Sequence, residues 1–328
     1  MPETTQFGPD GGPDDLAAYF RRIGWEGERR ADAATLRGVH LAHIRAIPFE
    51  NLDPVRGTAP SLAPADLIAK LVRSRRGGYC YEHNTLFAAA LEALGFRVTR
   101  LTARVVVGAE RFEDRPRTHM TLLVEAPDDP RPHQQYLADV GFGAPGALLE
   151  PVPLTTDGEF WGAGRAHRLV HAPHRGPLEL WVLEAQRETG RETGGETDTE
   201  TGGEAGRETG GETGGETGGE TGGEAGRETG GESAWQAQYA FTLEPFEKPD
   251  FEVINWHIAT NPRSPFSRRP YVQRVTPDGH LLLDGDLLTE THADGTVRER
   301  RLTGEAEVRK ALDEEFDIAV PEGCGPTV

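Results

Sequence analysis

The order of residue patterns along the chain predicts an α+β fold. Apolar residues recur at helical spacing up to about residue 95, short β-rich runs bounded by Gly, Pro and Asp follow, and the last part mixes both. That order divides the 328 residues into a helical bundle (1–95), an antiparallel sheet or barrel (96–243) and a mixed α/β unit (244–328).

The elements follow in turn. Residues 14–23 carry apolar side chains at helical spacing. Residues 33–44 do too, with Leu36, Val39, Leu41 and Ile44 on one stripe and His40 and His43 on its flanks. Residues 63–74 read as a helix with Pro64 in its first turn. Residues 80–94 bury Leu86, Phe87, Ala90, Leu91 and Leu94, and Gly95 stops them. Runs at 98–107, 119–126, 135–140, 167–171, 178–183 and 235–243 read as strands. Apolar residues 251–258 precede runs at 271–276 and 279–284, a hairpin around Asp294 and Gly295, and a helix over 305–316.

One segment fits none of these patterns. Residues 187–232 are variations on Gly-Gly-Glu-Thr, and glutamate falls at every fourth position from Glu184 to Glu232. In a helix those glutamates would stack like charges, and the paired glycines would cost up to ~1 kcal/mol each relative to Ala. With no large apolar residue to bury, the segment is expected to be disordered, extending a hairpin loop between strands at 178–183 and 235–241. It holds about half of the formal charge of −19. The remainder is modestly acidic and offers no basic footprint for nucleic acid. No stretch is long and apolar enough for a membrane span, and the polar Gly/Pro-rich start reads as no export leader. Two cysteines far apart, Cys80 and Cys324, suit a reducing cytoplasm rather than a disulfide scaffold.

The most informative run is Arg76-Gly77-Gly78-Tyr79-Cys80-Tyr81-Glu82-His83-Asn84. It sets a cysteine where a glycine-rich turn meets a helix start, at the positive end of the helix dipole, which favours an anionic nucleophile. A small buried hydrophobe in a helix cap is the bland alternative, and local sequence alone does not separate the two. A nucleophilic thiol needs a base, and the base needs an orienting group. Of eleven histidines most read as surface or capping residues. His83, three residues beyond Cys80, lies on the same face in poor geometry for proton transfer. His119 differs, because it opens an apolar strand. Asp139 then interrupts a second apolar run just before Gly141-Phe142-Gly143. A buried carboxylate needs a partner, and an imidazolium is one; capping the following turn is the other reading.

Taken together these runs resemble the arylamine N-acetyltransferase family. The resemblance rests on Ile47-Pro48-Phe49-Glu50-Asn51-Leu52, the Cys80 run, Thr118-His119, Asp139-Val140-Gly141-Phe142-Gly143, Asn255-Trp256 and Pro262-Arg263-Ser264-Pro265-Phe266, in the family's order. It spans roughly residues 14–320, interrupted by the repeat. Tyr81 stands where Phe is frequent, and Ala259-Thr260-Asn261-Pro262 where Ser-Thr-His-Pro is common.

The resemblance implies a helical bundle, a central antiparallel β-barrel and a C-terminal α/β lid around a cysteine-protease-like core. It implies a catalytic triad of Cys80, His119 and Asp139 and acetyl-CoA as co-substrate, with an aromatic amine or hydrazine accepting the acetyl group from a thioester on Cys80. Phe49, Phe142 and Gly143 are the expected acceptor-pocket residues, and Arg75, Arg76 and Arg115 the expected contacts to CoA phosphates. No metal is expected, since no second Cys/His pair completes a set with Cys80 and His83. Two alternatives stay open: an amide synthase closing a macrolactam on an aromatic amine, and a thiol hydrolase or transglutaminase-like enzyme.

Overall fold

The computed structural model describes residues 13–131, 133–186 and 235–320. The expected disorder of the 187–232 repeat and the second cysteine, Cys324, lie outside these residues.

The chain opens with α1 (Pro13–Ile23), whose first turn holds Asp14 and Asp15 and whose last holds Arg21 and Arg22, matching the helix dipole at both ends. In α2 (Ala33–Ala46) the Asp32 carboxylate caps the start, accepting from the Thr35 N–H at 2.9 Å. A short strand β1 (Phe49–Glu50) and one turn of helix, α3 (Leu52–Val55), follow. The helix expected over 63–74 starts as α4 (Pro64–Leu67) with Pro64 in its first turn, then widens into a π-helical turn (Ile68–Val72). A π-turn inserts an extra residue per loop of backbone, and here it accompanies an inward-facing Lys70 that reaches Asp53 at 2.5 Å and Glu82 at 2.6 Å. Next comes α5 (Cys80–Ala93), which buries Leu86, Phe87, Ala90 and Leu91 and ends before Gly95 at φ +95°.

Among the described residues eight strands form the middle of the chain: β2 (Arg97–Val105), β3 (Arg117–Glu125), β4 (Gln135–Ala138), β5 (Val152–Pro153), β6 (Phe160–Gly162), β7 (Arg165–Ala172), β8 (Leu180–Gln186) and β9 (Trp235–Phe241). They make one antiparallel sheet in the order β5-β4-β3-β2-β9-β8-β7-β6, curled into a near-closed barrel. Leu101, Leu137, Leu148, Leu169, Leu183 and Phe241 are among its filling. Gln186 pairs with Trp235, so β8 and β9 are adjacent antiparallel strands.

The last part holds α6 (Lys248–Thr260), β10 (Tyr271–Thr276), β11 (Gly279–Asp284), β12 (Leu287–His292), β13 (Val297–Arg301) and α7 (Glu305–Glu314). Its sheet takes β1 as an edge strand, in the order β1-β10-β11-β12-β13, with Phe49 opposite Gln273. Asn51 clamps the same junction. Its amide donates to the carbonyls of Phe266 (2.9 Å) and Arg269 (2.8 Å), and its oxygen accepts from the Tyr271 N–H (2.6 Å). The α/β part is thus tied to the segment that precedes the Cys80 run. The largest core cluster packs α1, α2 and α5 against the Met120, Leu122 and Val124 face of β3.

Candidate active site

Cys80 is the first residue of α5, following an extended Tyr79 (φ −105°, ψ −171°). Glu82, at the third position of the helix, accepts from the Tyr79 N–H at 3.2 Å and fixes that start. The thiol is 4 % exposed, with Sγ 4.0 Å from the Thr118 carbonyl. It is therefore both a helix-start thiol and a buried one, and its neighbours decide between the two readings.

Those neighbours come from the barrel. In the β3–β4 register Leu122 pairs with Ala138. Extending it by one residue sets Asp139 across from Thr121, one pleat repeat from His119 on the same face. His119 Nε2 lies 2.6 Å from Asp139 Oδ2, and Cys80 is the ring's other polar neighbour. The imidazole is 3 % exposed and is flanked by the rings of Phe142 (5.3 Å) and Tyr239 (5.1 Å). Asp139 also caps the following turn, since Oδ1 accepts from the Gly141 N–H at 3.0 Å. Its two oxygens thus serve both roles open to it from sequence. Gly141 has to be glycine, because a Cβ there would sit 2.8 Å from Cys80 Cα.

Burial works against charge on both partners, but the pair prevails. Against desolvation, the charge and hydrogen bond of Asp139, with Cys80 adding to them, raise His119 to about 10. Asp139 is held below the usual carboxylate value by His119, Asn84 and the Gly141 N–H, again against burial. Asp139 therefore favours the imidazolium whenever His119 takes up a proton.

Three positioning side chains went unnoticed in the sequence. Asn84, one turn beyond Cys80, donates to Asp139 Oδ1 (2.9 Å) and to the Met120 carbonyl (2.7 Å), and accepts from the Val140 N–H (3.1 Å). Its i+4 spacing from Cys80 was the available signal. His40 Nε2 accepts from the Asp139 N–H (3.1 Å) while Nδ1 meets the Leu149 carbonyl (3.1 Å); burial lowers its value to about 4, so it is neutral. Tyr239 sets its ring beside His119 from β9, tilted by 48°, on a strand no local pattern ties to it. The expectation that most of the remaining histidines are surface or capping residues is corrected for four of them: His40, His43, His167 and His280 are buried.

Phe49, Phe142 and Gly143 do come together. With Asp139, Val140 and Gln273 they line a cavity of about 30 Å³. That is room for water but not for an aromatic ring, which enters only if side chains move. Gly143 (φ +56°) presses on the Phe49 ring, where a Cβ would approach within 2.5 Å. The arginines do not gather in this way. Arg76 is buried and bonded to Glu50 (2.8 Å) and Asp53 (3.0 Å), so its expected place at a CoA phosphate is corrected to an internal ion pair. Arg75 is exposed and paired with Asp313 and Asp317, both at 2.9 Å. Arg115 is half-buried in the loop leading into β3. Among the described residues no group of three or more His, Cys, Asp or Glu could hold a metal. No helix there is long and apolar enough to cross a membrane.

A buried thiol, an imidazole beside it and an orienting carboxylate are the parts of nucleophilic acyl transfer. Comparison with known proteins agrees. The N-acetyltransferase family model matches residues 32–323. The chain is 35% identical over 322 residues to an arylamine N-acetyltransferase of Mycolicibacterium smegmatis, covering 96% of this chain and 95% of the relative. It is 29% identical over 314 residues to the enzyme of that name from Escherichia coli, covering 94% and 90%. Among solved structures, the Nocardia farcinica arylamine N-acetyltransferase superposes with a TM-score of 0.74 at 37% identity, covering 98% of this chain and 94% of that one. The Mycobacterium marinum arylamine N-acetyltransferase, solved in complex with CoA, gives 0.70 at 30% identity, covering 92% of each.

Proposed function

The chain belongs to the arylamine N-acetyltransferase family, acyltransferases that acetylate arylamines, and we propose that it works by ping-pong transfer from acetyl-CoA through a thioester on Cys80. The observation that supports this best is the alignment of Cys80, His119 and Asp139 across the α5–barrel seam.

In the first half-reaction the Cys80 proton passes to His119, on the nitrogen not bonded to Asp139. The thiolate attacks the acetyl carbonyl of acetyl-CoA. Backbone N–H groups in the first turn of α5, which have no partner within the helix, are suited to the oxyanion. The bond to the CoA sulfur breaks, and CoA leaves with the imidazolium proton. In the second half-reaction an arylamine or arylhydrazine nitrogen attacks the thioester. His119 takes a proton from it and returns one to the Cys80 sulfur. Asp139 keeps the imidazolium oriented throughout. The burial of all three side chains keeps water from competing with a weakly basic aromatic amine.

Phe49, Phe142 and Gly143 serve as acceptor walls in this reading, and the chemistry is suited to a cytoplasmic enzyme with CoA at hand. Of the three arginines, Arg115 is kept for CoA because its loop leads directly into His119. Intact-mass analysis tests the mechanism. Acetyl-CoA should add one acetyl group to Cys80, and isoniazid or 5-aminosalicylate should remove it. A Cys80→Ser protein that keeps full turnover would sink the proposal.

A further inference from the structure

A second file of buried polar side chains lies beside the Cys80–His119–Asp139 site. It runs from Tyr19 on α1 through His43 on α2 and His83 on α5 to the carbonyl of Pro48. Tyr19 Oη is 2.8 Å from His43 Nδ1, His43 Nε2 is 2.9 Å from His83 Nδ1, and His83 Nε2 is 3.1 Å from the Pro48 oxygen. All three side chains are buried, at 0–1 % exposure. Burial pushes His83 down to about 4 and His43 well below 6.5, so both rings are neutral.

Neutrality sets the direction of every bond. A neutral imidazole has one donor nitrogen and one acceptor nitrogen. The Pro48 carbonyl can only accept, so His83 Nε2 carries the hydrogen and His83 Nδ1 accepts. His43 Nε2 then donates, and His43 Nδ1 accepts from the Tyr19 hydroxyl. One polarity therefore satisfies every member.

Placing three polar side chains in a core is costly unless all are bonded, and apolar residues would fill the space as well. The end of the file supplies a purpose. Pro48 precedes Phe49, whose ring lies parallel to His83 (5° between planes, centroids 6.3 Å apart) and walls the cavity shared with Phe142 and Asp139. The next residue, Glu50, donates its N–H to the Gly78 carbonyl at 2.8 Å, pinning this segment to the run before Cys80. His83 stands three residues beyond Cys80 on α5. One helical turn thus carries the nucleophile at one end and the support of the pocket wall at the other.

We propose that His83, oriented by His43 and Tyr19, is a positioning residue for the acceptor: it holds Pro48 and Phe49 at a set distance from Cys80. No proton moves along the file. This deepens the acetyl-transfer reading above and rests on it for the identity of the acceptor. The effect falls on arylamine binding and not on acetylation of Cys80.

The test compares His83→Leu, which breaks both bonds, with His83→Gln, whose amide can donate to Pro48 while its oxygen accepts from His43. The acetylation rate of Cys80 by acetyl-CoA should stay within about twofold of wild type in both, while the arylamine KM rises about tenfold in His83→Leu and returns toward wild type in His83→Gln. If His83→Leu does not fold, Tyr19→Phe, which removes only the first donor, is read in the same way with a smaller rise. A folded variant with unchanged arylamine KM, or one whose acetylation falls in equal proportion, overturns the positioning role. Calorimetry of arylamine binding to the unacetylated proteins separates this from the parent reading. No acetyl group on wild-type Cys80 would overturn the transfer mechanism, whereas equal arylamine affinity in wild type and His83→Leu would overturn the positioning role.

Discussion

Two buried groups of charges meet at the start of α5, and they do different work. On the barrel side, His119 and Asp139 form a one-to-one pair 2.6 Å apart. On the other side, Lys70 joins Glu82 and Asp53, while Arg76 joins Glu50 and Asp53. Both groups depart from ordinary ionisation. His119 is raised to about 10, and burial raises Glu82 to about 7 in spite of Lys70. A perturbed buried carboxyl therefore does not by itself mark the chemistry. What separates the groups is where they end. The pair ends on a sulfur that can give and take a proton. The network ends on backbone, with Glu82 on the Tyr79 N–H (3.2 Å) and Glu50 on the Leu52 N–H (2.7 Å). It holds the segments that frame the sulfur.

Breaking each side should give opposite signatures. Asp139→Asn should lower kcat/KM by about 10⁴, because the amide no longer holds His119 in its working tautomer, while the fold persists. Steady-state acetylation assays with far-ultraviolet circular dichroism check both halves. Arg76→Met should do the reverse. It leaves Glu50 buried without its cation, so denaturant unfolding should show a loss of about 3–5 kcal/mol, while the folded fraction still takes acetyl on Cys80. An Arg76→Met protein of normal stability would dissolve the distinction.

The pH dependence of stability sharpens the comparison. A raised native value means that the folded protein keeps a proton the unfolded chain has already released. For Glu82 that stabilisation is whole below about 4.5 and is lost as pH rises through about 7. For His119 it is whole below about 6.5 and is lost as pH rises through about 10. Asp139, held low, adds a separate loss on the acid side, as pH falls below 3.8. Unfolding free energies of Glu82→Gln and His119→Gln against wild type should therefore diverge in two successive windows. A single shared window would merge the groups.

The smallest effect belongs to the segment between β8 and β9. Replacing residues 187–232 by a short Gly/Ser turn should leave kcat/KM unchanged, since Gln186 and Trp235 are already paired across the sheet and no site residue falls between them. A folded but inactive product would assign the repeat a task in the reaction.

The parts of the site that local pattern governs were legible early. Gly77, Gly78 and the apolar stripe after Cys80 define a helix start. An apolar strand entered at His119, and a carboxylate set just before Gly141, each demand a reason. Other parts were not legible. Arg76 reads in sequence as a contact for a CoA phosphate, because nothing beside it announces Glu50 or Asp53. His40 and His43 sit at helix flanks in the pattern and in the core in space. The π-turn at Ile68–Val72, where Lys70 reaches Asp53 and Glu82, left no mark in the local pattern.

By itself the sequence determined the order of elements, the place of the thiol at a helix start, and the candidates for its base and orienter. Periodicity and turn chemistry act over a few residues, and these features are that local. Only the tertiary structure decided which polar groups meet. Phe49 pairs with Gln273 across more than two hundred residues, Asp139 divides its oxygens between His119 and the Gly141 turn, and Tyr19 begins a file that ends at Pro48. A buried hydrogen bond gains its strength from exclusion of water by the whole core, so its partners are selected by packing and leave no period in the chain.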